Sequence, residues 1–182
     1  MVAARPYAEG WATRLLVGVP AVALPAIVAA YIAIIRRQGA APTDFLTVPF
    51  VSTYLLSMAV ILAISLIERR SIRSLRPALR AAASAGLLAL GVLAGSAPGP
   101  AILAAGAFAL AATAASIISA LRRATFIGAA IGMVLSLAWL AFGLEVAWNV
   151  IVCPPTGQSS GTTRSGVNYD CSDGDLTVHY TQ

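Results

Sequence analysis

Five long apolar runs separated by short polar or basic links set the pattern of this chain. Leu15 to Ile35 carries no charged residue and would be about 31 Å long as a helix, against a hydrocarbon core of about 30 Å. Phe45 to Ile67 is a second run of that kind, and Pro77 to Gly95 a third. Ser96-Ala97-Pro98-Gly99-Pro100 then interrupts any helix, before a fourth run from Ala101 to Leu121. Without that break, residues 81 to 121 would form one helix of about 60 Å, twice the membrane core. Thr125 to Val152 is the longest run, about 42 Å as a helix, so its outer turns must tilt or project. The pattern predicts an all-α integral membrane protein, a bundle of five transmembrane helices over residues 15–35, 45–67, 77–95, 101–121 and 125–152. Residues 1–14 form a short cytoplasmic lead-in and 153–182 a small extracytoplasmic tail. A cleaved signal peptide is the rival reading of the first run, but its apolar core is too long.

The links supply punctuation. Pro20, Pro25 and Pro49 predict kinks. Asp44 can cap the second helix, and Pro77 suits the first turn of the third. Between the second and third runs, residues 68–80 form a basic hinge, ERRSIRSLRPALR, holding Arg69, Arg70, Arg73, Arg76 and Arg80. Four of these, Arg69, Arg73, Arg76 and Arg80, recur at helical spacing, as do Ile72, Leu75 and Leu79, which predicts one basic and one apolar face. All five hinge arginines are candidates for contact with anionic lipid headgroups.

Charge fixes the expected orientation, because arginines beside apolar spans are retained in the cytoplasm. With the N-terminus inside, nine of the twelve arginines lie there: Arg5, Arg14, the hinge five, Arg122 and Arg123. Arg36, Arg37 and Arg164 fall outside. Composition agrees, since 10% charged residues is far below the soluble norm of about 25%. The net charge of +5 therefore points to lipid headgroups and away from nucleic acid. The expected location is a cell membrane. No lysine occurs, which excludes Schiff-base chemistry with retinal or pyridoxal phosphate.

The tail holds both cysteines, Cys153 and Cys171. Outside the cytoplasm they are expected to form a disulfide closing the tail onto the end of the fifth helix. Ser172-Asp173-Gly174-Asp175 reads as a turn, and Leu176, Val178 and Tyr180 alternate with polar residues, so a β-hairpin is possible here.

Candidate sites are few. Gly91 with Gly95, and Gly128 with Gly132, are GxxxG pairs suited to close helix packing, and Ala107, Ala111, Ala115 and Ser119 repeat at the same step. The packing is expected within one bundle, with a homodimer as the alternative. Glu145 is the one acid inside an apolar run; near the outer boundary it can meet water or pair with Arg36 or Arg37, or serve as an ion or proton site. The acids Asp170, Asp173 and Asp175 do not match calcium-loop spacing, and His179 reads as a solvated strand residue. The apolar runs contain no histidine and no cysteine pair for haem, zinc or thiol chemistry. No catalytic residue, metal or cofactor is expected. The resulting reading is a non-catalytic accessory, assembly or scaffold subunit of the cell envelope, whose partners are anionic lipid and another membrane protein or a second copy. A small transporter or channel with Glu145 as titratable group is the alternative.

Overall fold

A computed structural model describes residues 10–37, 47–69, 72, 74–95, 98–120, 123–149, 153, 158–162 and 166–179. The described residues include five long helices, α1 (Trp11–Arg37), α2 (Thr47–Leu66), α3 (Arg76–Ala94), α4 (Gly99–Ala120) and α5 (Arg123–Asn149). Three short strands follow, β1 (Gln158–Thr162), β2 (Asn168–Ser172) and β3 (Asp175–His179). All five helices are long and apolar enough to cross a membrane. Their bounds lie within a few residues of the expected spans. The largest difference is in α1, which starts at Trp11 with the Gly10 carbonyl accepting the Thr13 and Arg14 amides. Arg14, Arg36 and Arg37 thus belong to the helix, which continues through Pro20 and Pro25. Arginine is a good helix former, so a charge at the end of an apolar run does not end the helix.

The chain divides into two compact units, Met1–Ile27 with Leu55–Leu137, and Val28–Tyr54 with Ala138–Gln182. The first is organised on α3 and α4. Pro77 stands in the first turn of α3, where its missing N–H leaves no orphan acceptor, and Gly95 ends the helix with φ at 48°. Pro98 and Gly99 then start α4. The hairpin is antiparallel and its register is visible in two reciprocal contacts. A Cβ on Gly91 would lie 2.7 Å from Leu103 Cγ, and one on Gly106 would lie 3.0 Å from the side chain of Leu88. Each helix offers a glycine to a leucine of the other, which brings the backbones close enough to pack without bulky residues between them. Gly132 of α5 does the same against α3, since a Cβ there would come 2.5 Å from the Ala78 carbonyl oxygen.

The second unit contains an aromatic group and the tail. Tyr54 is buried, its ring 5.5 Å from that of Trp139 in an edge-on arrangement and 6.0 Å from that of Phe50. Phe50 in turn lies against Gly143. The tail forms a three-stranded antiparallel sheet in the order β1-β2-β3, one strand more than the hairpin that the sequence suggests. Asp173 and Gly174, with φ at 48° and 89°, make the two-residue connection between β2 and β3. Positive φ at both positions is what a type I′ hairpin turn requires, and an Asp-Gly pair accepts it at little cost. The additional strand β1 has the polar sequence QSSGT. It is held by backbone pairing to β2 and by Tyr169, whose ring covers Gly161 directly across the ladder. Cys171, on the central strand, is buried and bonded to Cys153 with Cα atoms 5.4 Å apart. The expected disulfide is therefore present, and it ties the sheet to a point just beyond the end of α5.

Candidate functional site

The most unusual side chain is Arg80, which has 0% exposure. It lies one turn into α3 on the strip that also presents Pro77, Ala81, Ser84 and Leu87, all buried. Its Nε donates to Ser65 Oγ at 3.4 Å and its Nη1 to Ser116 Oγ at 2.6 Å. Ser65 is in the last turn of α2 and Ser116 is near the end of α4. Each serine donates its own proton to its own helix, Ser65 to the Leu62 carbonyl at 2.7 Å and Ser116 to the Ala112 carbonyl at 2.8 Å. The hydroxyl oxygens are thereby left as acceptors facing the guanidinium. The C-terminal ends of α2 and α4 also carry the negative end of the helix dipole, which favours a cation at that place. Three helices are joined by one charge.

Arg76, one turn earlier, donates from Nη2 to the Ile67 carbonyl at 2.8 Å, just past the end of α2. Arg14 of α1 pairs with Glu68. Both of those side chains are more than half exposed, so the pair adds little stability. Buried Ser84 and Thr113 donate to the carbonyls of Ala81 and Ala109. Ser52 has a buried hydroxyl with no hydrogen-bond partner among the described residues.

These positions change the picture of the hinge. Among the arginines read as headgroup contacts, Arg69 is exposed, Arg76 is half-buried and Arg80 is fully enclosed; Arg70 and Arg73 lie outside the described residues. Of the residues expected to form the hinge's apolar face, Leu75 is 55% exposed, and Ile72 and Leu79 are half-buried. The register of α3 is set by the small strip of Pro77, Ala81, Ser84 and Gly91 against its neighbours, and that strip includes Arg80. Sequence reading missed Ser116 as its acceptor. The available signal was that Arg80 shares a face with Ser84 and Leu87, at steps of four and seven.

The other candidates fall as follows. Glu145 is exposed on α5, and Arg36 and Arg37 are exposed in the last turn of α1. Gly91 and Gly132 are close-contact positions, whereas Gly128 meets Ala78 at an ordinary 3.8 Å and Gly95 is the end of α3. Ala107, Ala111 and Ala115 face outward, and the side chain of Ser119 lies outside the described residues. His179 Nε2 stands 3.4 Å from Asp170 Oδ2 on the exposed surface of the sheet. Among the described residues no group of three or more His, Cys, Asp or Glu is placed to hold a metal ion.

Five helices of membrane-crossing length and composition, with a small disulfide-tied sheet after the last, define the class of this chain. Comparison with family models, with curated proteins and with solved structures found no match.

Proposed function

We propose that the protein is a multi-pass membrane protein that acts without chemistry of its own, as an accessory, assembly or scaffold subunit of the cell envelope. Its N-terminus is cytoplasmic and its C-terminal sheet extracytoplasmic. The observation that carries the reading is the use of the buried polar groups. Arg80 donates to Ser65 and to Ser116, joining three helices, and Ser84 and Thr113 donate to carbonyls of their own helices. Polar groups inside a membrane are costly, and here Arg80 is used to hold helices together while Ser84 and Thr113 are satisfied within their own. A disulfide in the C-terminal sheet supports an oxidising compartment on that side. The working partner is another membrane protein or a second copy of this chain. Purification in a mild detergent followed by mass spectrometry is expected to recover a stoichiometric protein partner or a homo-oligomer, and reconstituted vesicles are expected to show no solute flux. A proton or cation flux abolished by Glu145→Gln, with folding intact, would replace this reading with the small transporter.

A further inference from the structure

β3 is an edge strand, with β2 on one side and no further strand on the other among the described residues. The two-residue turn at Asp173 and Gly174 makes Ser172 and Asp175 the closing pair of the hairpin, and such a pair is hydrogen-bonded. Hydrogen-bonded and non-hydrogen-bonded pairs alternate along an antiparallel ladder. Asp175, Thr177 and His179 therefore turn their backbone groups to β2, opposite Ser172, Asp170 and Asn168. Leu176 and Val178 turn theirs to the open edge. Natural edges are commonly guarded by lysine, proline or a bulge. β3 reads DLTVH, with neither lysine nor proline, and its register runs without a bulge. Its side chains are exposed apart from Val178, which is half-buried. β1, on the opposite side of the sheet, reads QSSGT and has no charge or apolar side chain to choose a register.

We infer that β3 pairs antiparallel with β3 of a second copy of this chain, joining the two sheets into one. One register satisfies the edge. With Thr177 opposite Thr177 of the second copy, Leu176 faces Val178 at both positions, and every outward N–H and C=O of the two strands meets a partner. The same register sets Asp175 opposite His179 at both ends, an acid against an imidazole and not against another acid. A slip of one residue sets outward groups against inward ones, and a slip of two moves Asp175 off His179. His179 Nε2 already stands 3.4 Å from Asp170 Oδ2 of its own sheet, so the pairing puts a carboxylate on either side of the imidazole. The contact is isologous, as in closed dimers. A ladder of five residues is short, so the association is weak, and confinement of both copies to one membrane raises it. The inference rests on the proposed extracytoplasmic, oxidised sheet and names the second copy as the partner.

The test uses the full chain with its disulfide intact, reconstituted in phosphatidylcholine vesicles. Thr177→Cys is expected to give a covalent dimer under mild oxidation, because opposed Cα atoms of a non-hydrogen-bonded pair are about 4.5 Å apart, within disulfide reach. Ser160→Cys, in line with Thr177 across the sheet but on β1, should cross-link far more slowly. Dimer affinity is read by energy transfer between copies labelled at the N-terminus. His179→Asp sets acid against acid at both ends and should lower it on the order of tenfold, and adding Asp175→His should restore most of it. Val178→Pro removes an outward N–H without touching a bond to β2, and should lower it at least as far. Cross-linking of Thr177→Cys no faster than that of Ser160→Cys overturns the inference, as does an affinity that His179→Asp leaves unchanged. If Val178→Pro opens the sheet, seen as faster tryptic cutting after Arg164, the cross-linking and the charge exchange decide. A monomer that carries a different protein overturns the pairing and leaves the accessory role standing. A flux abolished by Glu145→Gln overturns that role, and the cross-linking still decides the pairing.

Discussion

Arg80 shows how one residue can be misplaced by a sound pattern. Four arginines at helical spacing imply a basic face, and for Arg69 the exposed placement follows. Arg80 departs because α3 is packed on its small residues, and a guanidinium is long enough to reach a serine on either side. The energetics of such a site are asymmetric. A buried charge that loses its acceptors keeps its desolvation cost, whereas replacing the charge by an apolar group of similar length removes that cost along with the bonds. Ser65→Ala with Ser116→Ala is therefore expected to destabilise the protein by about 2–4 kcal/mol, since it strands the guanidinium. Arg80→Met should be the milder change, because the two serines remain bonded to Leu62 and Ala112. Arg80→Lys should behave more like the double alanine variant, as an ammonium cannot span both hydroxyls in the same plane. Denaturant titration in detergent, followed by circular dichroism, measures the order. An Arg80→Met variant less stable than the double alanine variant would mean that the arginine holds the helices by more than these two contacts.

At the scale of elements, the helices were readable and their partners were not. Length and lack of charge are local properties, so each span could be placed to within a few residues from its own composition. The glycine pairs marked close packing, yet Gly91 and Gly95 proved to have different tasks, one facing Leu103 and one ending the helix. Which glycine meets which leucine depends on the register of two helices, a property that neither sequence carries alone. Strand β1 was missed because QSSGT has no apolar alternation, and its place depends on a tyrosine eight residues further on. These contacts order a set of substitutions. Gly91→Ala is expected to cost about 1–3 kcal/mol, since the new methyl meets both the side chain and the backbone nitrogen of Leu103 at under 3 Å and no rotamer change relieves it. Gly95→Ala should cost about 1 kcal/mol through its positive φ, and Gly128→Ala should be close to neutral. The same denaturant titration checks the series, and a Gly91→Ala variant as stable as Gly128→Ala would contradict the hairpin register.

The whole molecule raises the question of sidedness. If all five helices cross, the two ends of the chain lie on opposite faces, and the proposed orientation rests on the arginine bias. On a cysteine-free background, a cysteine placed at Ser74 should resist an impermeant thiol reagent in intact cells and one placed at Ser160 should react. Labelling at position 160 only after permeabilisation would reverse the topology and place the C-terminal sheet in the cytoplasm. The disulfide gives a second test of the same arrangement. Among the strand residues whose side chains are described, only Cys171 is fully buried, and Gly161, Tyr169 and Val178 are half-buried. Three strands with so small an apolar content cannot offset the entropy of ordering by themselves. The bond closes a loop with a separation of 18 residues, worth about 3 kcal/mol in the chain-entropy model. Reduction should therefore open the sheet while leaving the five helices folded. Arg164 is the one arginine between the two cysteines and falls in the connection from β1 to β2. Where opening is fast relative to cleavage, tryptic cutting follows the population of the open state, so reduction should raise the rate after Arg164 by up to about a hundredfold. Cys153→Ser and Cys171→Ser should match the reduced protein, with unchanged helical circular dichroism. Equal rates in the oxidised and reduced protein would mean that strand pairing and the Tyr169–Gly161 contact suffice to hold the sheet.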